Sequence, residues 1–266
     1  MTEAQQGLLS QLGFRFGING PHAARTMMLE DLRVLFSHTS PGAARDDYAR
    51  AVVSENVLGK PTKKARELAL QHLGALYALS AENPIFRALR RLWDANVNAQ
   101  PMLAFAVALA RDPLLRGTMQ FYLSKQPGEP VSRESVEVLL SESHPERFSP
   151  ASLRSFAQNV SGSWTSAGFL HGRVRKTRVT ADVHPEAVAM LLFLGFLEGR
   201  TGQRLFSSDW TGLTGLPAEE VEALASSASH RGLLVFMNAG GVKEVRFPGY
   251  LSPEEERIRQ EVSHVV

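Results

Sequence analysis

Six basic side chains, Arg147, Arg154, Arg173, Arg175, Lys176 and Arg178, fall between positions 147 and 181, a window that holds no aspartate or glutamate. Guanidinium and ammonium groups without neighbouring carboxylates suit phosphate binding, and arginine, glutamine and asparagine can also make paired hydrogen bonds to guanine or adenine edges. The run from His171 through Arg173, Arg175 and Lys176 to Arg178 reads as an extended basic ribbon. Upstream, Arg154, Ser155, Gln158 and Asn159 carry the side-chain types that meet bases and phosphates. A solvated charged loop is the competing reading of the ribbon.

The elements that would position these groups are legible in the pattern. Ser149-Pro150 supplies an N-cap acceptor and an N1 proline, and Gly168 closes the helix they open. Leu153, Phe156, Ala157, Val160, Trp164 and Ala167 recur at three- and four-residue spacing, which leaves Arg154, Ser155, Gln158 and Asn159 outside. Gly162 weakens that helix by about 1 kcal/mol relative to alanine and marks a place for a kink. Before it, Ser132 can cap a helix through Leu140. Helix, turn, helix and basic ribbon is the order of a winged helix-turn-helix.

A second basic cluster, Lys60, Lys63, Lys64 and Arg66, crowds the start of a helix with Ala65, Leu68, Ala69, Leu73 and Leu76 on its apolar face. Cations there oppose the helix dipole, so the cluster is a further candidate for nucleic-acid contact, weighed against a solvated helix face. Arg87, Arg90 and Arg91 fall largely outside the stripe Ile85, Phe86, Leu89, Leu92, Trp93. Trp93 and Trp164 read as core.

Net charge is +2, from 29 Lys+Arg and 27 Asp+Glu, so attraction to a polyanion must come from a local patch. With 266 residues and 44% hydrophobic content the chain can bury a core and form more than one compact unit. The absence of cysteine excludes disulfides, thiolate metal sites and cysteine nucleophiles, and fits a cytoplasmic protein. The longest apolar runs, 187–197 and 102–110, are too short for a membrane span of roughly 20 residues, and no signal peptide is expected. No phosphate loop, nucleophile elbow, zinc motif or calcium loop occurs, so no catalytic residue, metal site, cofactor or small-molecule substrate is expected.

Asn83-Pro84, Asp112-Pro113 and Ser149-Pro150 are three helix starts that argue for a bundle. The breaker-rich stretch from Lys125 to Pro130 marks a boundary. Four regions follow: 1–126, a helical bundle with an N-terminal extension; 127–181, a helix-turn-helix with the basic wing; 182–250, a second winged unit; and 251–266, a charged tail. The second unit has helices after His184-Pro185, at 207–213 and at 217–230, then a hairpin of 233–237 and 242–247. It carries seven carboxylates between Asp182 and His230 against Arg200 and Arg204. Glu219, Glu220 and Glu222 would repel phosphate, which points this unit toward protein, with Lys243 and Arg246 a weaker DNA contact.

Gly13-Phe-Arg-Phe-Gly-Ile-Asn-Gly20 before 26–36, Asn56-Val-Leu-Gly-Lys-Pro-Thr62 leading a basic helix, His144-Pro145 with Phe148-Ser149, and Ala167-Gly-Phe-Leu170 together resemble the BrxA family of BREX phage-defence systems over roughly residues 13–180. The resemblance implies a mainly α protein: a NusB-like helical bundle followed by winged helix-turn-helix units with short β wings. It also implies a non-enzymatic DNA-binding defence component whose partners are duplex DNA and other phage-defence proteins. A protein-only scaffold and a NusB-like RNA binder are the alternatives.

Overall fold

The computed structural model describes residues 1–264. Three polar side chains ahead of prolines cap helices. Asn83 Oδ1 accepts from Phe86 N at 3.0 Å, Asp112 Oδ1 from Leu114 N at 2.9 Å, and Ser149 Oγ from Ser152 N at 3.2 Å. The fold is mainly helical. In order the helices are α1 (Glu3–Gln11), α2 (Leu29–Ser37), α3 (Arg45–Ala49), α4 (Lys63–Tyr77), α5 (Pro84–Trp93), α6 (Gln100–Arg111), α7 (Pro113–Arg116) and α8 (Met119–Leu123). Then come α9 (Arg133–Ser143), α10 (Pro150–Ser166), α11 (Pro185–Leu197), α12 (Gln203–Phe206), α13 (Asp209–Gly212), α14 (Ala218–His230) and α15 (Pro253–His264). No described helix is long and apolar enough to cross a membrane.

The two apolar runs become the centre. Every residue of α6 from Met102 to Ala110 is buried, and so is every residue of α11 from Pro185 to Gly195, a pattern that only a helix enclosed on all sides can satisfy. α11 packs on α5 and α6 as well as on α13 and α14, and one hydrophobic cluster runs from Leu9 to Val262. The charged segment 251–266 begins with helix α15, which lies against α1 with Val262 buried.

Two small antiparallel sheets complete the fold. β1 (Pro130–Val131), β2 (Leu170–His171) and β3 (Lys176–Arg178) form a sheet in the order β1-β3-β2, with Pro130 opposite Thr177 and His171 opposite Thr177 on the other side. The breaker-rich stretch therefore supplies a third strand, where a first-position proline costs no ladder bond. Gly128 N–H donates to Arg178 O at 2.7 Å and Arg178 N–H to Glu129 O at 2.8 Å. β4 (Val235–Ala239) and β5 (Val242–Arg246) form a hairpin.

Other expectations are corrected by packing. Leu68 stays 38% exposed, and the inner face of α4 is Ala69, Leu73, Leu76 and Tyr77. Arg90 is not outside. It is buried over the Phe36 ring at 4.0 Å and donates to Thr39 O at 3.0 Å. Gly162 leaves α10 unbroken, and Trp93 and Trp164 are buried.

Candidate nucleic-acid interface

Helix α10 and the first hairpin face each other across a groove of about 810 Å³, and α9 closes it at its N-terminus. Gln158 and Ser161 line the helix side, Arg173, Arg175 and Lys176 the hairpin side, and Arg133 and Glu134 the α9 end. Four cations thus face one carboxylate. Arg173 and Arg175 are exposed and have no ion-pair partner among the described residues. Arg133 is committed to Glu134 and Glu137, each at 2.8 Å. Arg154, Ser155 and Gln158 are exposed on α10, and His171 is exposed on β2.

The remaining candidates fare differently. Lys176 is half-buried and donates to Thr165 Oγ1 at 2.6 Å, and that burial lowers its ammonium pKa. Arg178, expected on the wing surface, is 6% exposed; it donates to Tyr122 O and Phe169 O at 3.3 Å and to Val179 O. It holds the sheet to the bundle, and its guanidinium is not on the wing surface. Asn159 is turned inward, its amide donating to His22 O at 3.0 Å. On the second cluster, Lys60 pairs with Asp31 at 2.8 Å, Lys63 lies 3.8 Å from Glu67, and Arg66 donates to Val53 O at 2.8 Å. Lys64 alone in that cluster is exposed with no ion-pair partner among the described residues. The structure does not join this cluster to the groove: none of its four residues lines it.

Pattern reading missed what holds α10 in place. His22 Nδ1 donates to Asp112 Oδ2 at 2.7 Å, His22 Nε2 lies 2.7 Å from Ser163 Oγ, and all three side chains are buried. The order Ser-His-Asp is that of a hydrolase triad, but the surroundings are not. Ser163 Oγ already accepts from Met27 N at 2.8 Å and reaches Asn159 O at 3.1 Å, and with no exposed surface there is no path for a substrate. The trio is an anchor tying the 20–27 segment to α7 and α10. Burial pushes the Asp112 carboxyl up, but hydrogen bonds and charge from His22, with the Leu115 N–H, hold it below the usual aspartate value. Gly20 is part of the same joint. A Cβ there would fall 1.7 Å from Asp112 Oδ1, so only glycine lets the chain pass. The one sequence signal for this joint was Asp112 as an N-cap.

On the second hairpin Lys243 and Arg246 each have a carboxylate. Lys243 pairs with Glu222 of α14, and Arg246 with Glu244 at 2.5 Å. Glu219 and Glu220 are exposed at the start of α14 with no ion-pair partner among the described residues. No family model and no curated protein matches the chain.

Proposed function

We propose that this protein is a non-enzymatic DNA-binding component that holds duplex DNA between α10 and the first hairpin. The observation that carries the reading is the groove itself: Arg173 and Arg175, without an ion-pair partner among the described residues, line it together with the exposed Gln158 of a capped helix. The element order β1-α9-α10-β2-β3, with β3 central, is that of a winged helix-turn-helix and supports the same reading. In such an arrangement Arg154 and Gln158 face base edges while the hairpin meets the backbone. The resemblance to BrxA proteins supplies the setting, phage defence, and a NusB-like bundle as scaffold.

A mobility-shift titration with duplex DNA, duplex RNA and single strands at two salt concentrations tests it. About four groove and helix cations predict a log-log salt slope near three to four for duplex DNA. Absence of binding to a duplex of about 30 base pairs at low salt removes the proposal, and tighter binding to duplex RNA transfers it to the NusB-like RNA reading.

A further inference from the structure

The tip of the first hairpin carries an apolar side chain that the fold leaves uncovered. Val174 is 92% exposed, while the chain on either side of it is tied down. His171 pairs with Thr177 and Leu170 with Arg178, and Lys176 Nζ donates to Thr165 Oγ1 of α10 at 2.6 Å. Gly172 closes the turn at φ 103°, where a Cβ would fall 2.0 Å from Arg175 O. Arg173, Val174 and Arg175 therefore form a tight apex held against α10, and all three line the groove.

A lone exposed valine is ordinary on a protein surface. This one stands at the apex of a turn between two exposed arginines that have no ion-pair partner among the described residues, so it meets whatever those arginines hold. Their spacing favours one groove of a duplex. Residues two apart lie at most about 7 Å from each other along the backbone, which matches the minor groove of B-form DNA, about 6 Å wide, and falls short of the major groove at about 12 Å.

Valine has neither donor nor acceptor, so it can read a groove floor only by what it excludes. A·T and G·C pairs both present acceptors in the minor groove, and G·C adds the guanine 2-amino donor. Covered by a methyl group, that amino group stays without a hydrogen-bond partner and costs its desolvation. We infer that Val174 makes the first hairpin a minor-groove reader of base composition, which favours A·T over G·C pairs by excluding the guanine amino group. The inference rests on the duplex-binding reading and adds to it a residue that sets preference, with Arg173 and Arg175 on the flanking phosphates.

The test compares the intact protein's affinity for two duplexes of about 30 base pairs that differ only in the replacement of guanine by hypoxanthine. The replacement deletes the amino group from the minor groove and leaves unchanged the major-groove edge that Arg154 and Gln158 would face. The hypoxanthine duplex should bind about tenfold more tightly. Val174→Ser, whose hydroxyl can accept from the amino group, should bring that ratio below about twofold with the melting temperature unchanged, because the side chain is exposed. Equal affinity for the two duplexes, or a ratio that Val174→Ser leaves intact, overturns the inference while duplex binding stands. Absence of binding to either duplex removes it together with the reading on which it rests.

Discussion

The first and second helix-and-hairpin units share an order of elements and part company in their ion pairs. Across the first groove Arg173 and Arg175 meet no carboxylate among the described residues, while across the second Lys243 and Arg246 are each matched by one, and Glu219 and Glu220 are left over. Their anchors differ in the same sense. α10 is fastened by the buried His22–Asp112 pair, and the end of α14 by Arg231, half in solvent, donating to the buried Glu186 at 2.6 Å. What separates the two hairpins electrostatically is therefore which cations are already satisfied, because a paired cation offers a polyanion little further attraction.

The largest effect tests whether the units are separable. Removing residues 182–266 strips α11 from α5 and α6 and exposes the faces it covers, so the fragment 1–181 should lose its cooperative melt and its near-ultraviolet circular dichroism. A fragment that melts cooperatively would make the units independent modules and support a boundary near 181.

Next come the anchors. Asp112→Ala leaves His22 buried beside an unfilled site and should cost about 3–5 kcal/mol in urea melts, as for any buried pair broken on one side. Arg231→Ala, whose guanidinium is half exposed, should cost less. The sign with pH follows from Asp112: a folded value below the unfolded one of about 4 gives stability that is present above that pH and lost as pH falls through the lowered value. Asp112→Asn should flatten the decline between about pH 5 and pH 2, and an unchanged slope would assign acid sensitivity to other carboxylates.

Charge reversal addresses the comparison directly. Arg173→Glu with Arg175→Glu should lower duplex affinity at least tenfold, about 1.4 kcal/mol, with little change in melting temperature, since both side chains are exposed. Arg246→Glu in the second wing should shift it less than about twofold. Equal losses would erase the distinction between the wings. The smallest effect is expected from Glu222→Ala, which frees Lys243 and should raise the salt slope by no more than about one.

Much of the scaffold was legible in one dimension. The capped helix starts at Asn83, Asp112 and Ser149, the buried runs in α6 and α11, and the second hairpin follow from spacing and turn chemistry, which act over a few residues; the ribbon read as extended from His171 to Arg178 instead folds back through 172–175 into β2 and β3. The acid-free window from Arg147 to Ala181 likewise belongs to the sequence alone.

Tertiary structure decided which of those groups remain free. Arg178 alternates correctly for a wing strand yet closes on the carbonyls of Tyr122 and Phe169, and Asn159, beside the apolar stripe of α10, turns to His22. Lys60 finds Asp31, and Arg90 finds the ring of Phe36. His22 meets Asp112 from 90 positions away and Ser163 from 141. Periodicity reports which side of an element turns inward. It carries no information about what a distant element presents there, and a buried polar group takes whichever partner the packing brings within reach.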